Sequence, residues 1–170
     1  ASISSIINEK AIDDNSRIIS GNVLTGEQVN LDGFLGFYHH QLSVIPEGNR
    51  HKFFLTDGWF SPGFNSFSAS RAYPSWLMPK SKSYNLDTNL NGEERAFVVS
   101  GQYEKVFPFD IYPVQLLKSI ITNDIEKMEN LGIYEVSPED FALCEFVCTS
   151  KVNLQKIVRE GLDLIYKECM

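Results

Sequence analysis

The last third of the chain carries apolar residues at helical spacing, and this pattern constrains the fold more than any other feature. Pro113 fits the first position of a helix, where its missing N–H costs nothing. The apolar face that follows is formed by Leu116, Leu117, Ile120 and Ile121. Because these positions recur every three to four residues, the pattern predicts an amphipathic helix from Pro113 onward.

Three further helix starts follow. Asn123 and Glu126 have the spacing of a capping box, and Gly132 would end that helix. Ser137–Asp140, Ser-Pro-Glu-Asp, predicts a third helix with Ser as the cap, Pro in the first position and acids at the positive end of the dipole. Asn153 opens a fourth, whose apolar stripe is Leu154, Ile157, Val158, Leu162 and Ile165. The core of such a four-helix tail is small, so we expect it to pack on other elements or on another chain.

The rest of the chain is mainly extended. Residues 2–12 have helical spacing and predict one short amphipathic helix, and Pro46-Glu47-Gly48-Asn49 has the composition of a hairpin turn. Strand candidates are residues 16–24, 34–44, 50–56 and 95–100. We place the boundary with the helical tail near residues 102–113. The prediction is therefore an α+β fold, with a β region followed by a helical bundle of about four helices.

Composition excludes several classes of function. The 170 residues, 43% of them hydrophobic, allow one domain or two small ones. Fifteen basic and twenty-two acidic residues give a net charge of −7, which argues against binding nucleic acid or an anionic lipid surface. No apolar run approaches the roughly 18 residues that span a bilayer, and no signal peptide opens the chain. Ala1 stands where an initiator Met would, as in a domain of a longer protein.

The cysteines are the first candidates for chemistry. Cys144 and Cys148 are four residues apart on one predicted helix and share a face, as two ligands of zinc or of an iron–sulfur cluster would. Cys169 is penultimate and no Cys-x-x-Cys pair occurs, so the ligand count is too low for a metal site. We interpret the pair as small buried residues beside Phe141 and Val147. Three clustered cysteines also indicate a reducing compartment rather than a disulfide framework.

The histidines do not form a site by sequence reasoning. His39 and His40 are adjacent in a predicted strand and would point to opposite faces. His51 would lie about four residues, or ~13 Å, along the ladder from His40. We expect one histidine in the core and two on the surface.

Residues 53–76 hold eight aromatic side chains among Gly, Ser, Asn and Pro: Phe53, Phe54, Trp59, Phe60, Phe64, Phe67, Tyr73 and Trp76. Arg71 is the one cationic residue from Thr56 to Pro79, which argues against base stacking. A compact core under loops, a protein–protein contact and a quinone contact stay open as interpretations, with the core favoured.

Catalytic motifs are absent. The sequence contains no glycine-rich phosphate loop, no His-Glu-x-x-His and no Gly-x-Ser-x-Gly elbow. We interpret the adjacent acids Glu93-Glu94 and Asp13-Asp14 as solvated surface charge. We therefore assign no catalytic, cofactor-binding or metal-binding residue.

Three blocks of sequence carry a family resemblance: GEERAFVVSGQYEKVFP at residues 92–108, LGIYEVSPEDFALCEFVCTSK at 131–151, and Arg-Glu-Gly-Leu-Asp at 159–163. Together they resemble the C-terminal part of the A-subunit of the bacterial sodium-translocating NADH:quinone oxidoreductases. The helical tail also resembles the iron–sulfur domain in the flavoprotein subunit of complex I and in the Rnf complex. There Cys-x-x-Cys-x-x-Cys holds a cluster, which Cys-Glu-Phe-Val-Cys cannot reproduce, so we hypothesise a cluster domain without its cluster.

The resemblance implies a fold and a division of the chain. Residues 1–30 would end a partial ubiquitin-like element of the β-grasp or SLBB type. A β-rich region would occupy residues 31–108, and the helical domain residues 109–170.

The resemblance also implies a function. The family oxidises NADH, reduces ubiquinone to ubiquinol and exports sodium as a six-subunit membrane complex. The resemblance places this chain at the cytoplasmic face of the bacterial inner membrane. The A-subunit would be peripheral, with subunits B to F as partners and a contact with ubiquinone or menaquinone. NADH, flavins and iron–sulfur centres would bind elsewhere, so we expect this fragment to hold no cofactor and to have no activity alone.

A second hypothesis comes from a different class of protein. The chain would be a non-catalytic scaffold or adaptor whose helical tail binds partner proteins. Saturable binding of a short-chain quinone would separate the two, since a pure scaffold predicts none.

Overall fold

The computed structural model divides the chain into two compact units, Ala1–Asn91 and Gly92–Met170. The residues that the structure describes are 1–7, 12–13, 15–49, 62–67, 73–90, 94–97 and 101–169. All strands among the described residues lie in the first unit, and the second unit contains a helical bundle. The predicted α+β class is therefore confirmed. Compactness does not by itself define domains. The division into three ranges, and the ubiquitin-like character of the first, stay predictions.

A small antiparallel sheet organises the first unit. Its strands are β1 (Ser16–Ser20), β2 (Glu27–Gln28) and β3 (Leu42–Pro46), in the order β2-β1-β3. Ile18 lies opposite Val44 and Ile19 opposite Gln28. Neighbouring side chains of a strand point to opposite faces, yet Ile18 and Ile19 are both buried. The central strand is therefore covered on both sides.

The predicted strand over residues 16–24 is too long. β1 ends at Ser20 because Gly21 has φ +99°, a conformation that suits glycine. The side-chain oxygen of Asn22 then accepts hydrogen bonds from the backbone N–H groups of Leu24 and Thr25, each at 2.8 Å. This local turn replaces the last residues of the predicted strand.

The predicted strand over residues 34–44 is wrong for most of its length, because β3 begins only at Leu42. Phe34 forms one isolated bridge with Ser2, and the N–H of His39 then donates to the carbonyl of Gly36 at 3.0 Å. A tight turn at these positions interrupts the extended backbone. The second strand of the predicted hairpin, residues 50–56, lies outside the described residues.

The first helix is shorter than predicted. α1 covers Ile3–Ile6 within the predicted range 2–12, and Ile7 is already extended. Residues 8–11 lie outside the described part of the chain. Ile3 is fully buried and anchors the helix.

The second unit confirms the helical tail of four helices. They are α2 (Pro113–Ile121), α3 (Ile125–Asn130), α4 (Ala142–Val147) and α5 (Leu154–Cys169). Single turns of 3-10 helix lie at Tyr103–Lys105, Ile133–Glu135 and Pro138–Phe141, and another, Pro74–Leu77, belongs to the first unit. No described helix is long and apolar enough to cross a membrane.

The helices begin at the predicted residues, except that α3 has its N-cap one residue later than predicted. Pro113 takes the first turn of α2, and the side-chain oxygen of Asn153 accepts from the backbone N–H of Lys156 at 3.0 Å. The predicted cap Asn123 is wrong. Asp124 caps α3 instead by accepting from the N–H of Lys127, while Asn123 has φ +55°.

Ser137 begins the third helical segment as predicted. Its backbone N–H and its hydroxyl both donate to the Asp140 carboxylate, at 2.7 and 2.9 Å. The segment starts as a 3-10 turn and continues as α4. Gly132, with φ +88°, separates it from α3 as expected.

The core of the second unit lies between α5 and the other helices, as the apolar stripes predict. Its fully buried side chains include Leu116, Leu117, Met128, Ile133, Phe141, Leu154 and Val158. The strand predicted at residues 95–100 is absent from Arg95–Phe97, and residues 98–100 lie outside the described part. There the backbone N–H of Arg95 donates to the carbonyl of Ser150 at 2.8 Å.

Candidate functional site

The two cysteines of α4 meet a tyrosine inside the helical unit. Cys144 points into the core from the middle of α4, and Cys148 follows its last turn. The hydroxyl of Tyr103 lies 2.8 Å from the sulfur of Cys148, and the Cys144 sulfur lies 3.9 Å from the Tyr103 carbonyl. All three residues are at most 2% exposed. The predicted burial of the pair is confirmed.

Burial suppresses the chemistry of this cluster. It raises the pKa of the Cys144 thiol to about 12, and the charges of Glu104 and Cys148 act in the same direction. Burial is also the main cause that raises the pKa of Tyr103, followed by its hydrogen bond to Cys148. The thiolate is the form that attacks electrophiles and binds metals. At neutral pH Cys144 is therefore a protonated, inert group.

The donor set does not fit a metal or a cluster. Zinc and iron–sulfur centres need three or four deprotonated ligands. Among the residues that the structure describes, no group of three His, Cys, Asp or Glu side chains converges. The position beside Cys148 where a further ligand would have to stand is occupied by the phenol of Tyr103. This chemistry suits the hypothesis of a cluster-less domain, which stays a hypothesis.

Sequence reasoning missed Tyr103. It lies on a single 3-10 turn in a segment without periodicity, so no local pattern marks it as buried. Its ring centroid lies 6.0 Å from that of Phe97. The signal that could have found it is the presence of two further aromatic residues, Phe97 and Phe107, in the 92–108 block.

The histidines are separated, although not for the predicted reason. His39 and His40 lie in and after a turn rather than in a strand. The Nδ1 atom of His39 lies 2.7 Å from the hydroxyl of buried Ser20, whereas His40 is exposed. His51 lies outside the described residues. The partly buried His39 thus has a structural partner.

The aromatic segment is only partly described, and its described members do not form the favoured core. Phe64, Phe67 and Trp76 are between 44% and 58% exposed, and Tyr73 is half-buried. The other four, Phe53, Phe54, Trp59 and Phe60, lie outside the described residues. For the three exposed side chains the core interpretation is wrong, and a protein or quinone contact stays open.

A shallow groove of about 530 Å³ runs between α2 and α3. Residues 92–170 carry fourteen acidic and eight basic side chains, so this unit is strongly acidic. The groove departs from that balance, because two lysines and no carboxylate line it: its walls are Gln115, Lys118, Ser119, Thr122, Lys127, Asn130 and Leu131. Lys127 is paired with Asp124 at 2.5 Å, whereas Lys118 has no ion-pair partner among the described residues.

The acid pairs provide no acid–base site in the described part of the chain. Asp13 and Glu94 are exposed, as predicted for solvated charge. Their neighbours Asp14 and Glu93 lie outside the described residues. The assignment of no catalytic or cofactor-binding residue stays a prediction.

Comparison with known proteins identifies the family. No family model matches the chain. Curated relatives include proteins of Vibrio anguillarum, 41% identical over 169 residues, and Shewanella frigidimarina, 38% identical over 169 residues. Each alignment covers 99% of this chain and 37% of the relative. A protein of Rhodopirellula baltica is 44% identical over 153 residues, which are 89% of this chain and 33% of the relative.

All three relatives carry the same description, the A-subunit of the Na(+)-translocating NADH-quinone reductase. By this description the relatives are subunits of an oxidoreductase complex. Within it, the chain belongs to the A-subunit family and corresponds to the C-terminal part of that protein. The chain spans little more than a third of the length of the curated relatives it matches.

Proposed function

We propose that this chain acts as the C-terminal part of the peripheral A-subunit in a sodium-pumping respiratory complex. The complex oxidises NADH, reduces ubiquinone to ubiquinol and exports Na⁺. The observation that carries the proposal is the 38% to 41% identity to A-subunit sequences along 99% of the chain. Similarity at this level extends through both compact units, so the role belongs to the whole segment.

The proposed role is contact and positioning rather than chemistry. Burial holds the thiol of Cys144 protonated, because it raises the pKa of that group, and the described residues offer no ligand set for a metal. NADH, the flavins and the iron–sulfur centres then bind to other parts of the complex. This segment would influence quinone reduction by holding neighbouring parts in place, or by contributing part of a quinone-contacting surface.

The proposed location is the cytoplasmic face of the bacterial inner membrane. The described helices include none that could span a bilayer, which suits a peripheral subunit. The partners would be subunits B to F. Large apolar side chains exposed on the helical unit are the candidates for such contacts. Among the described residues they are Phe109, Tyr112, Ile121, Tyr134, Leu143, Phe146 and Tyr166.

A second candidate is a pure assembly element, and the groove between α2 and α3 favours it. Lys118 has no ion-pair partner among the described residues and lines a groove without carboxylates, within an acidic unit. Such a groove suits an acidic segment of a partner, because opposite charges favour docking in one orientation. In this case the segment would hold its neighbours and have no contact with quinone.

One experiment separates the two candidates. Gly92–Met170 is deleted from the full-length subunit, and the complex is purified from membranes. Subunit content, NADH oxidation with an artificial acceptor and sodium-dependent quinone reduction are then measured. Loss of the subunit from the complex supports the second candidate, an assembly element. An intact complex that keeps NADH oxidation and loses quinone reduction supports a role in the quinone step. Full quinone reduction without this segment would contradict both candidates.

A charge reversal tests the groove with less disturbance. Lys118→Glu should weaken retention of the subunit in the complex at least tenfold at low salt, because it places a carboxylate where an acidic segment would dock. Lys156→Glu is the matched control, since Lys156 is exposed on α5 and outside the groove. Equal retention of the two variants would exclude the groove as a contact.

A further inference from the structure

Three aromatic side chains are unusually exposed in one short stretch of the first unit. Phe34 is 72% exposed, Phe37 is 92% exposed and Tyr38 is 84% exposed. The rings of Phe37 and Tyr38 contact each other edge to face, with centroids 5.0 Å apart. Single exposed aromatics are ordinary, whereas three within five residues form a patch that marks a contact surface.

The backbone beneath this patch is held in place. The hydroxyl of Ser20, on β1, accepts a hydrogen bond from the N–H of Gly36 at 2.9 Å and lies 2.7 Å from Nδ1 of His39. The N–H of His39 closes the turn on the carbonyl of Gly36. Phe37 and Tyr38 therefore sit at the tip of a tied turn, which reduces the entropy lost when a partner covers them.

The start of the described chain runs directly beside the patch. Ser2 and Phe34 form an antiparallel bridge, flanked by hydrogen bonds from Leu35 N–H to the Ala1 carbonyl (3.1 Å) and from Ile3 N–H to the Gly33 carbonyl (3.0 Å). This is the pattern around a non-hydrogen-bonded pair. Its register places the residue that precedes Ala1 opposite Gly36.

The register also determines which side chains meet. Side chains two residues apart on a strand share a face. The residue immediately before Ala1 therefore shares the face of Ser2 and lies diagonally beside Phe34, a distance that aromatic side chains can bridge. Residues one and two further upstream pass the turn that carries Phe37 and Tyr38.

We propose that the polypeptide preceding Ala1 in the full-length subunit continues this antiparallel pairing and covers Phe34, Phe37 and Tyr38. The inference rests on the assignment to the A-subunit family, whose members extend well beyond the matched 37% of their length. The patch is then an internal contact that joins this segment to the preceding part of its own subunit.

Photo-crosslinking in the full-length subunit tests this contact directly. Phe37 is replaced by p-benzoylphenylalanine, the subunit is irradiated, and the linked peptides are identified by mass spectrometry. The expected product is an intramolecular link to the ten residues before Ala1, found both in the free subunit and in the complex. The same replacement at Val23, which is 54% exposed in the same unit and outside the aromatic segment, measures background crosslinking.

Other crosslinked products would overturn the proposal. They are links to a second copy, to another subunit or to lipid, or the absence of a link above the Val23 background. Thermal unfolding of the full-length subunit provides an independent readout. Phe37→Ser with Tyr38→Ser should lower Tm by about 2 to 4 °C, because a covered aromatic pair stabilises the fold. An unchanged Tm would mean that both rings are already in solvent. These readouts do not depend on quinone reduction, so their failure is distinct from failure of the proposed function.

Discussion

The chemistry of individual residues in this segment is directed at holding the fold. Arg17 and Glu47 join β1 to the end of β3 through two hydrogen bonds, one of them from Nε to Oε2 at 2.9 Å. In the second unit, the phenol of Tyr103 meets the sulfur of Cys148 in a site closed to solvent. In both places the polar groups are paired with protein atoms.

The closed thiol site predicts slow alkylation. Burial raises the pKa of Cys144 to about 12. At pH 8 the fraction of Cys144 that is thiolate is therefore far smaller than the thiolate fraction of an ordinary cysteine. Both sulfurs are also closed off from the reagent by burial. Iodoacetamide should modify Cys144 and Cys148 at least a hundredfold more slowly in native than in urea-unfolded protein. Peptide mapping assigns each modified cysteine. Native rates equal to those of an unfolded peptide would show that the site is open.

Glu47 predicts a specific loss of stability in acid. The Arg17 guanidinium, with a smaller contribution from the Thr88 hydroxyl, holds the pKa of Glu47 below its usual value. A carboxyl group whose pKa is lowered by folding stabilises the protein at pH values above its unfolded-state pKa of about 4.3. This stabilisation is lost as the pH falls through the folded-state pKa. The stability difference between wild type and Glu47→Gln should thus be constant near neutral pH and disappear in acid.

Urea unfolding from pH 7 to pH 3 measures this difference. Glu27→Gln is the control, because Glu27 is exposed on β2 and has no ion-pair partner among the described residues. A Glu47→Gln difference that does not decrease as the pH falls, or one matched by Glu27→Gln, would contradict the assigned role.

At the level of elements, helix ends were predictable where the signal is local. Pro113, Ser137 and Asn153 mark helix starts because their rings, hydroxyls or amides act within one turn. The start of α3 was misplaced by one residue. Asn123 and Asp124 are both suitable N-cap residues. Which of them caps α3 depends on the left-handed backbone conformation of Asn123, and no local sequence pattern predicts that conformation.

The strand over residues 34–44 failed for a tertiary reason. Its sequence allows an extended backbone, but the Ser20 hydroxyl on a distant strand binds Gly36 and His39 and stabilises a turn. The site was predictable only in part for the same reason. Burial of Cys144 and Cys148 follows from the helical stripe, whereas their contact with Tyr103 requires the packed fold.

The corrected cap gives a test at this scale. Asp124→Ala should destabilise the chain by about 1 kcal/mol, since it removes the side-chain acceptor for the N–H of Lys127. Glu126→Ala is the control, because Glu126 lies in the same first turn without accepting that bond. Urea unfolding of both variants measures the difference. Equal effects would show that Asp124 does not cap α3.

Packing of α5 on α2 gives a second test. A Cβ atom at Gly161 would lie 2.9 Å from Cγ1 and Cγ2 of Ile120. Alanine is the better helix former by roughly 1 kcal/mol, but overpacking costs about 1 to 3 kcal/mol and should prevail. Gly161→Ala should therefore destabilise the helical unit.

A double-mutant cycle with Ile120→Ala isolates this clash. In the Ile120→Ala background, Gly161→Ala should cost less or become stabilising, because the obstructing side chain is gone. Lys156→Ala, on the exposed side of α5, should show no such coupling. Additive effects of Gly161→Ala and Ile120→Ala would contradict the contact.

At the level of the whole molecule, the two units differ in charge as well as in structure. Residues 92–170 account for six of the seven net negative charges, and residues 1–91 are nearly neutral. An acidic helical unit with a lysine-lined groove, and a β-containing unit with an exposed aromatic turn, offer different surfaces to partners. A segment of this kind suits a protein that works within an assembly.

Replacement of the corresponding part of a relative tests the central claim most directly. The C-terminal part of the Vibrio anguillarum A-subunit that aligns with this chain is exchanged for it, in cells that lack the native subunit. Sodium-dependent quinone reduction by purified membranes is measured beside a Leu117→Asp version, in which a charge in the core disrupts the helical unit. The account predicts that the exchanged subunit restores activity and the Leu117→Asp version does not. Assembly of the exchanged subunit without quinone reduction, or equal activity of both versions, would contradict it.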